Sequence, residues 1–366
     1  MATLTPPLRQ TKASELGLFS QAGLARYRER QMAIWLFCVV GMIVAMVIIG
    51  GLTRLTESGL SMVEWRPFTG WFPPMSEAEW SRIFEEYRQY PEYLKLNAGM
   101  SLAQFKEIFW LEYIHRVWGR LIGLAFALPF LVFLAKGWVG PRLAPKFVFM
   151  FILGGAQGVL GWWMVKSGMV DHPEVSQYRL TAHLGLALIV MSYVLWVGLS
   201  LWRGLGAEGI APRRSAFGII VLVLVTALAG GFVAGLDAGY GWNTWPLMDG
   251  RVVPFDLIYL EGGLAANLFE DPATAQFNHR ILALLTVAGV IGFWGYWHKR
   301  LPAGTAQVQL GLMPWAALFQ AALGVATLLS VVLLPLAALH QAGAVALLVI
   351  SLVAGHRVSM IDRSLP

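Results

Sequence analysis

Four histidines are the residues of this chain best suited to do chemistry: His115, His183, His279 and His340. Each falls in the first turn or so of an apolar run, and all four lie at the same side of the set of runs. One histidine near a helix end is ordinarily a hydrogen-bonded interfacial side chain. Four at one depth, in two pairs, allow more, because two imidazoles on neighbouring helices can supply both axial ligands to a planar iron porphyrin between them. An ionisable side chain inside a bilayer is also a functional-site candidate by default. Zinc and di-iron centres fit less well, since no thiolates or further carboxylates accompany each pair. The expected pairs are His115 with His183 and His279 with His340. Of the other histidines, His172 follows Asp171 in an outer loop and reads as solvated. His298 and His356, beside Lys299 and Arg357, read as snorkelling headgroup contacts.

One position makes the two pairs unequal. Glu112 stands three residues before His115, and Gln276 three residues before His279, so each shares a helical face with its imidazole. A carboxylate can move protons or stabilise a developing cation, whereas an amide can only hydrogen-bond. The first pair is therefore expected to do chemistry and the second to hold a permanent electron-transfer or structural haem, the alternative being that Glu112 merely ends an outer loop in solvent. Arg116 and Arg280 directly follow their histidines and, with Arg54 and Arg66, are candidates for anionic haem propionates. Ordinary interfacial arginines are the competing reading. An interfacial aromatic belt accounts for Trp65, Phe68, Trp71, Trp242 and Trp245. Gly50, Gly51, Gly230 and Gly231 suit close approach by a porphyrin or by a packed helix.

The elements that must position these residues are transmembrane helices. Of 366 residues, 57% are hydrophobic and 13% charged, too apolar for a soluble domain. The formal charge of +6 does not point to nucleic acid, because the basic residues occupy short segments between apolar runs. Cys38 is the only cysteine, which excludes an intramolecular disulfide and thiolate clusters. Runs near 32–53, 116–136, 147–166, 181–202, 217–236, 279–297, 309–332 and 337–355 can each cross a hydrocarbon core of about 30 Å. The first is too long for a signal-peptide core, so no cleaved segment is expected. Arg9, Lys12, Arg26, Lys136, Lys146, Arg213, Lys299 and Arg363 fall on one side, which the positive-inside rule makes cytoplasmic or matrix, with both termini. The long connections 54–114 and 237–278 then face outward with the histidines. Within the first, Ser76 to Tyr93 reads as an amphipathic helix over the membrane surface.

The runs form two copies of one pattern. Gly50-Gly51 corresponds to Gly230-Gly231, His115-Arg116 to His279-Arg280, Gln157 to Gln320 and His183 to His340, in the same order. The expected fold is an all-α integral membrane protein with eight transmembrane helices, arranged as two four-helix bundles related by a pseudo-two-fold axis along the membrane normal. The divisions are a cytoplasmic segment 1–31, a first half 32–202, a connection 203–216, a second half 217–356 and a cytoplasmic tail 357–366.

The run Gly50 to Ser61, the segment Trp65-Arg66-Pro67-Phe68-Thr69-Gly70 and Glu112-Tyr113-Ile114-His115-Arg116 closely resemble the haem A synthase family of bacterial plasma membranes and mitochondrial inner membranes. The resemblance covers nearly the whole chain. It implies oxidation of the C8 methyl of haem O to the formyl group of haem A, by hydroxylation to an alcohol and then to a hydrated aldehyde that loses water, with haem A passing to cytochrome c oxidase. It also implies that Glu112, His115 and His183 belong to the substrate site, with Glu112 catalytic, and that His279 and His340 ligate a haem b cofactor. Many bacterial members carry outer-loop cysteine pairs. This chain has none, so it resembles the cysteine-free subgroup that includes mitochondrial and alphaproteobacterial proteins. Expected partners are haem O, membrane lipid, an unknown electron donor or acceptor, haem O synthase, cytochrome c oxidase assembly factors and a second copy of the chain. The rival readings are a di-haem b-type membrane electron carrier and a transporter with repeated halves, and neither accounts for Glu112 against Gln276.

Overall fold

The structure, a computed structural model, describes residues 21–65, 69–169, 174–254, 263–301 and 303–361. Arg9, Lys12, Arg66, Phe68, Asp171, His172 and Arg363 lie outside the described residues. In chain order the helices are α1 (Gln21–Leu55), α2 (Glu77–Tyr87), α3 (Pro91–Lys95), α4 (Leu102–Ala135), α5 (Ala144–Ser167), α6 (Gln177–Trp202), α7 (Arg214–Gly235), α8 (Gly263–Glu270), α9 (Pro272–His298), α10 (Thr305–Leu329) and α11 (Leu334–Ser359). Among the described residues, eight of them, all but α2, α3 and α8, are long and apolar enough to cross a membrane. The protein is an all-helical membrane protein.

Two spans begin well before their apolar runs, because their capping residues stand outside the membrane-length segment. Ser101 and Gln104 form a reciprocal capping box that starts α4. Asp271 accepts from the Thr274 N–H at 2.7 Å and starts α9 with Pro272 in its first turn. His115 and His279 therefore lie further along their helices than the first turn expected from hydropathy.

In the first half α1 packs on α4 and α6, and α5 on α6; in the second, α7 packs on α9 and α11, and α10 on α9 and α11. The halves meet where α1 and α6 face α7 and α11. Leu36, Met191, Val194 and Leu348 are buried in this core. Polar bonds also cross between the halves: Gln341 Nε2 donates to the Val47 carbonyl at 2.7 Å, and Arg54 pairs with Asp237 at 2.8 Å. Because α11 packs inward against α6 and α7, His356 is fully buried rather than snorkelling. Its Nε2 lies 3.0 Å from Ser200 Oγ and its ring packs on Trp196. His298 packs on Trp294.

The described part of the connection between α1 and α4 folds into a cap on the start of α4. Ser76 caps α2, whose buried face, Trp80 and Tyr87, meets Phe105 and Phe109 of α4. The amphipathic face is thus spent on protein packing, with Trp80 and Phe109 centroids 4.9 Å apart. Within this cap Glu92 is buried and its Oε2 has no hydrogen-bond partner. Burial pushes its carboxyl up to about 8. A hydrogen bond with Tyr87 opposes the shift, and the nearby charges of Glu112 and Glu57 add to it. A raised folded value means that the proton is held more tightly in the native state, so the stabilisation is complete below 4.5 and is lost as pH rises towards 8. The melting temperature of the purified protein should fall across that window, and Glu92→Gln, which cannot titrate, should flatten the fall. Parallel curves for the two proteins would contradict the assignment.

Candidate functional site

The four histidines sit on α4, α6, α9 and α11, and each ring lies against a glycine of the preceding span. A Cβ would stand 3.2 Å from His115 Cε1 if built on Gly50, and 3.1 Å from His279 Cε1 if built on Gly230. The corresponding distances are 2.8 Å for Gly161 against His183 and 2.8 Å for Gly324 against His340. The glycines admit the imidazoles, so protein takes the space at Gly50 and Gly230 that the sequence offered to a porphyrin. The second glycine of each pair faces the other half: Gly51 meets the Gln341 side chain, and a Cβ on Gly231 would lie 3.0 Å from Thr181 Oγ1.

The second pair has the spacing that shared ligation requires. The His279 and His340 ring centroids are 6.4 Å apart, with the ring planes at 83°. A metal–imidazole nitrogen bond of about 2.0 Å, with about 1.1 Å from nitrogen to centroid on each side, gives roughly 6 Å. His279 Nδ1 lies 3.1 Å from the Thr226 carbonyl and donates to it, which leaves the Nε2 lone pair for a metal. Gln320 Nε2 lies 3.0 Å from His340 Nδ1 and donates to the His340 carbonyl at 2.8 Å; Gln157 repeats this on His183 at 3.1 Å and 3.0 Å. Both glutamine Oε1 atoms are buried without a partner. An amide flip would turn that oxygen onto an Nδ1–H and free Nε2, at the cost of the carbonyl bond. The sequence marked these glutamines as landmarks of the repeat, and their identical placement in the two halves was the signal of a role. His115 lies within electrostatic reach of His183, and its ring makes no hydrogen bond to any described residue.

Glu112 is buried, not the solvent-exposed end of a loop. Its Oε2 accepts from Ser61 Oγ–H and from the Met62 N–H, each at 2.7 Å, and its Oε1 accepts from Arg116 at 2.5 Å. Arg116 also donates to the Met62 and Glu64 carbonyls at 2.7 and 2.9 Å. In the second half Gln276 Nε2 donates to the Ala238 and Gly241 carbonyls at 2.7 and 2.8 Å, and its Oε1 accepts from Arg280 at 2.8 Å. Arg280 in turn donates to the Trp242 and Thr244 carbonyls at 2.7 and 2.9 Å. Each half therefore ties the loop before its first histidine helix down with the same arginine fork. The partner side chain differs because one loop presents donors and the other presents acceptors. Ser61 and Met62 were not singled out by sequence, since neither carries chemistry until the loop folds back.

Arg54 donates to the Ala234 carbonyl at 3.0 Å as well as pairing with Asp237, so it joins the halves. Arg66 lies outside the described residues. Arg280 Nε is buried with no hydrogen-bond partner, a free donor suited to an anion. Changing Gln276 to Glu would set carboxylate oxygens against two carbonyls. Gln276→Glu should cost about 2 kcal/mol of stability, read as a lower melting temperature; an unchanged value would show that the loop polarity is not selective.

Known proteins similar to this chain agree on one family. The family model described as COX15-CtaA, cytochrome oxidase assembly protein, matches residues 33–352. A protein named Heme A synthase from Paramagnetospirillum magneticum is 50% identical over 350 residues, covering 92% of this chain and 96% of the relative. Similarly named proteins from Nitrosospira multiformis and Parvibaculum lavamentivorans are 47% and 45% identical, each over 90% of this chain and 93% and 94% of their own lengths. Along nearly its whole length, with the paired histidines and the arginine forks inside the matched region, the chain belongs to the COX15-CtaA family of cytochrome oxidase assembly proteins.

Proposed function

We propose that this protein is a haem A synthase, which oxidises the C8 methyl of haem O through an alcohol to a hydrated aldehyde that loses water, giving haem A for cytochrome c oxidase. The observation that carries the reading is the His279–His340 pair at the spacing of two axial ligands, in a chain that matches relatives bearing that name over most of their length. His279 and His340 would hold haem b, which supplies electron transfer when bound. His115 and His183 would hold the substrate. Arg280, through its free Nε, and Arg116 would meet propionates, and Arg54 and Arg66 are further candidates for that role by sequence.

Each conversion of C–H to C–O–H is a two-electron oxidation, so an external acceptor or donor of electrons must take part. Glu112 shares a helical face with His115, and donors already occupy both of its oxygens. Its part is to stabilise positive charge developing on the substrate. The basic segments support an orientation with both termini cytoplasmic and the sites towards the outer face. The repeated histidine, glycine, glutamine and arginine contacts support a pseudo-two-fold relation between the halves 32–202 and 217–356. Membrane lipid, haem O synthase and cytochrome c oxidase assembly factors are the partners that would fit this role.

Membranes containing the protein should convert added haem O to haem A, and no conversion would contradict the reading. Glu112→Gln should lower haem A formation by about 100-fold while the purified variant keeps its haem content. Undiminished turnover would remove Glu112 from the reaction.

A further inference from the structure

The two halves hold their first histidine differently, and the difference lies one helical turn before the glycine that faces it. In the second half that position is Thr226 on α7. Its carbonyl accepts from His279 Nδ1–H at 3.1 Å. Its hydroxyl donates to the Leu222 carbonyl at 2.9 Å and so accepts from the Thr286 hydroxyl, 2.7 Å away. Thr286 is buried on α9, two turns beyond His279. A hydroxyl pair thus joins α7, which supplies the carbonyl, to α9, which carries the imidazole, at the same residue whose carbonyl holds the ring. In the first half the corresponding residues are Met46 and Ile122, which cannot form such a bond. Met46 Cε instead lies 3.3 Å from where a Cβ on Gly119 would be. The His115 ring has no hydrogen bond to any described residue. The first half is also looser in its outer layer: α4 touches α5 little, whereas α9 and α10 pack closely.

We infer that Thr226 and Thr286 are positioning residues that make the haem of the second half a resident, and that the missing lock leaves His115 as the ligand that yields when substrate arrives and product leaves. The inference rests on the ligand assignments proposed above. An imidazole whose Nδ1–H is fixed to a carbonyl has its rotation blocked and its Nε2 aimed before the metal arrives, so ligation loses little further freedom. A cofactor must stay through many turnovers, whereas a substrate site has to release its product each time. Ligand-orienting partners of this kind alter metal affinity by about 10–100-fold, and such differences reside mainly in the dissociation rate.

The test uses the full chain, purified in detergent with its haems and mixed with excess apomyoglobin as haem acceptor, each released haem being identified chromatographically. Wild-type protein should lose its first-site haem quickly and haem B slowly. Thr226→Val combined with Thr286→Val should speed haem B release by about ten-fold or more and leave first-site release unchanged. Thr226→Ser, which keeps the hydroxyl, should release haem B at close to the wild-type rate, and Met46→Thr with Ile122→Thr should slow release from the first site. Wild-type haem B release in the valine variant, or serine and valine variants equally fast, would overturn the lock. His279→Ala separates the two levels: full retention of haem B there would overturn the ligand assignment itself. Its loss there, with unaltered release in the valine variant, would overturn the lock alone.

Discussion

An imidazole packed between long apolar helices has few side-chain partners to orient it, so a neighbouring helix must fix its ring. Here that requirement is met four times by bringing the ring against a helix backbone where there is no side chain. Gly50, Gly161, Gly230 and Gly324 are each within contact of one histidine, and at Gly161 and Gly324 a methyl group would collide with the ring. The helix pairs of each half approach as closely as these contacts demand, and the space for anything planar between two rings follows from that approach. The polar partners, Thr226, Gln157 and Gln320, then choose the direction in which a ring nitrogen points.

A second constraint lies within one turn of His115 and His279, where each half ties down the loop that precedes the helix carrying the histidine. Arg116 and Arg280 use the same fork on alternate loop carbonyls and on the side chain four residues before them. The contrast between Glu112 and Gln276 is therefore partly architectural: a loop that offers an N–H and a hydroxyl calls for an acceptor, and one that offers two carbonyls calls for a donor. The same choice pairs Arg116 with a carboxylate and Arg280 with a neutral amide, so loop structure and the charge balance of each fork are set by one residue in each half.

Much of this was legible in the sequence because it rests on periodicity and on repetition. The eight spans follow from hydropathy, and the repeat singled out four of the seven histidines. It did not show that α4 and α9 start beyond the membrane-length run, since caps such as Ser101 and Asp271 act outside the apolar stretch. Nor could it show that His356 faces the core, because one histidine beside an arginine at a helix end is equally compatible with lipid headgroups. Thr226 and Thr286 were invisible for a related reason: threonine in an apolar run is common, and only the packing of α7 on α9 brings the two hydroxyls together.

The central claim is that one chain carries a cofactor haem beside a substrate haem, and it is tested most directly by identifying the haems extracted from the purified protein after expression in cells that make haem O. Haem B together with haem O, its alcohol derivative or haem A is the predicted result. Haem B alone, near two per chain, would contradict it and return the protein to the class of di-haem electron carriers.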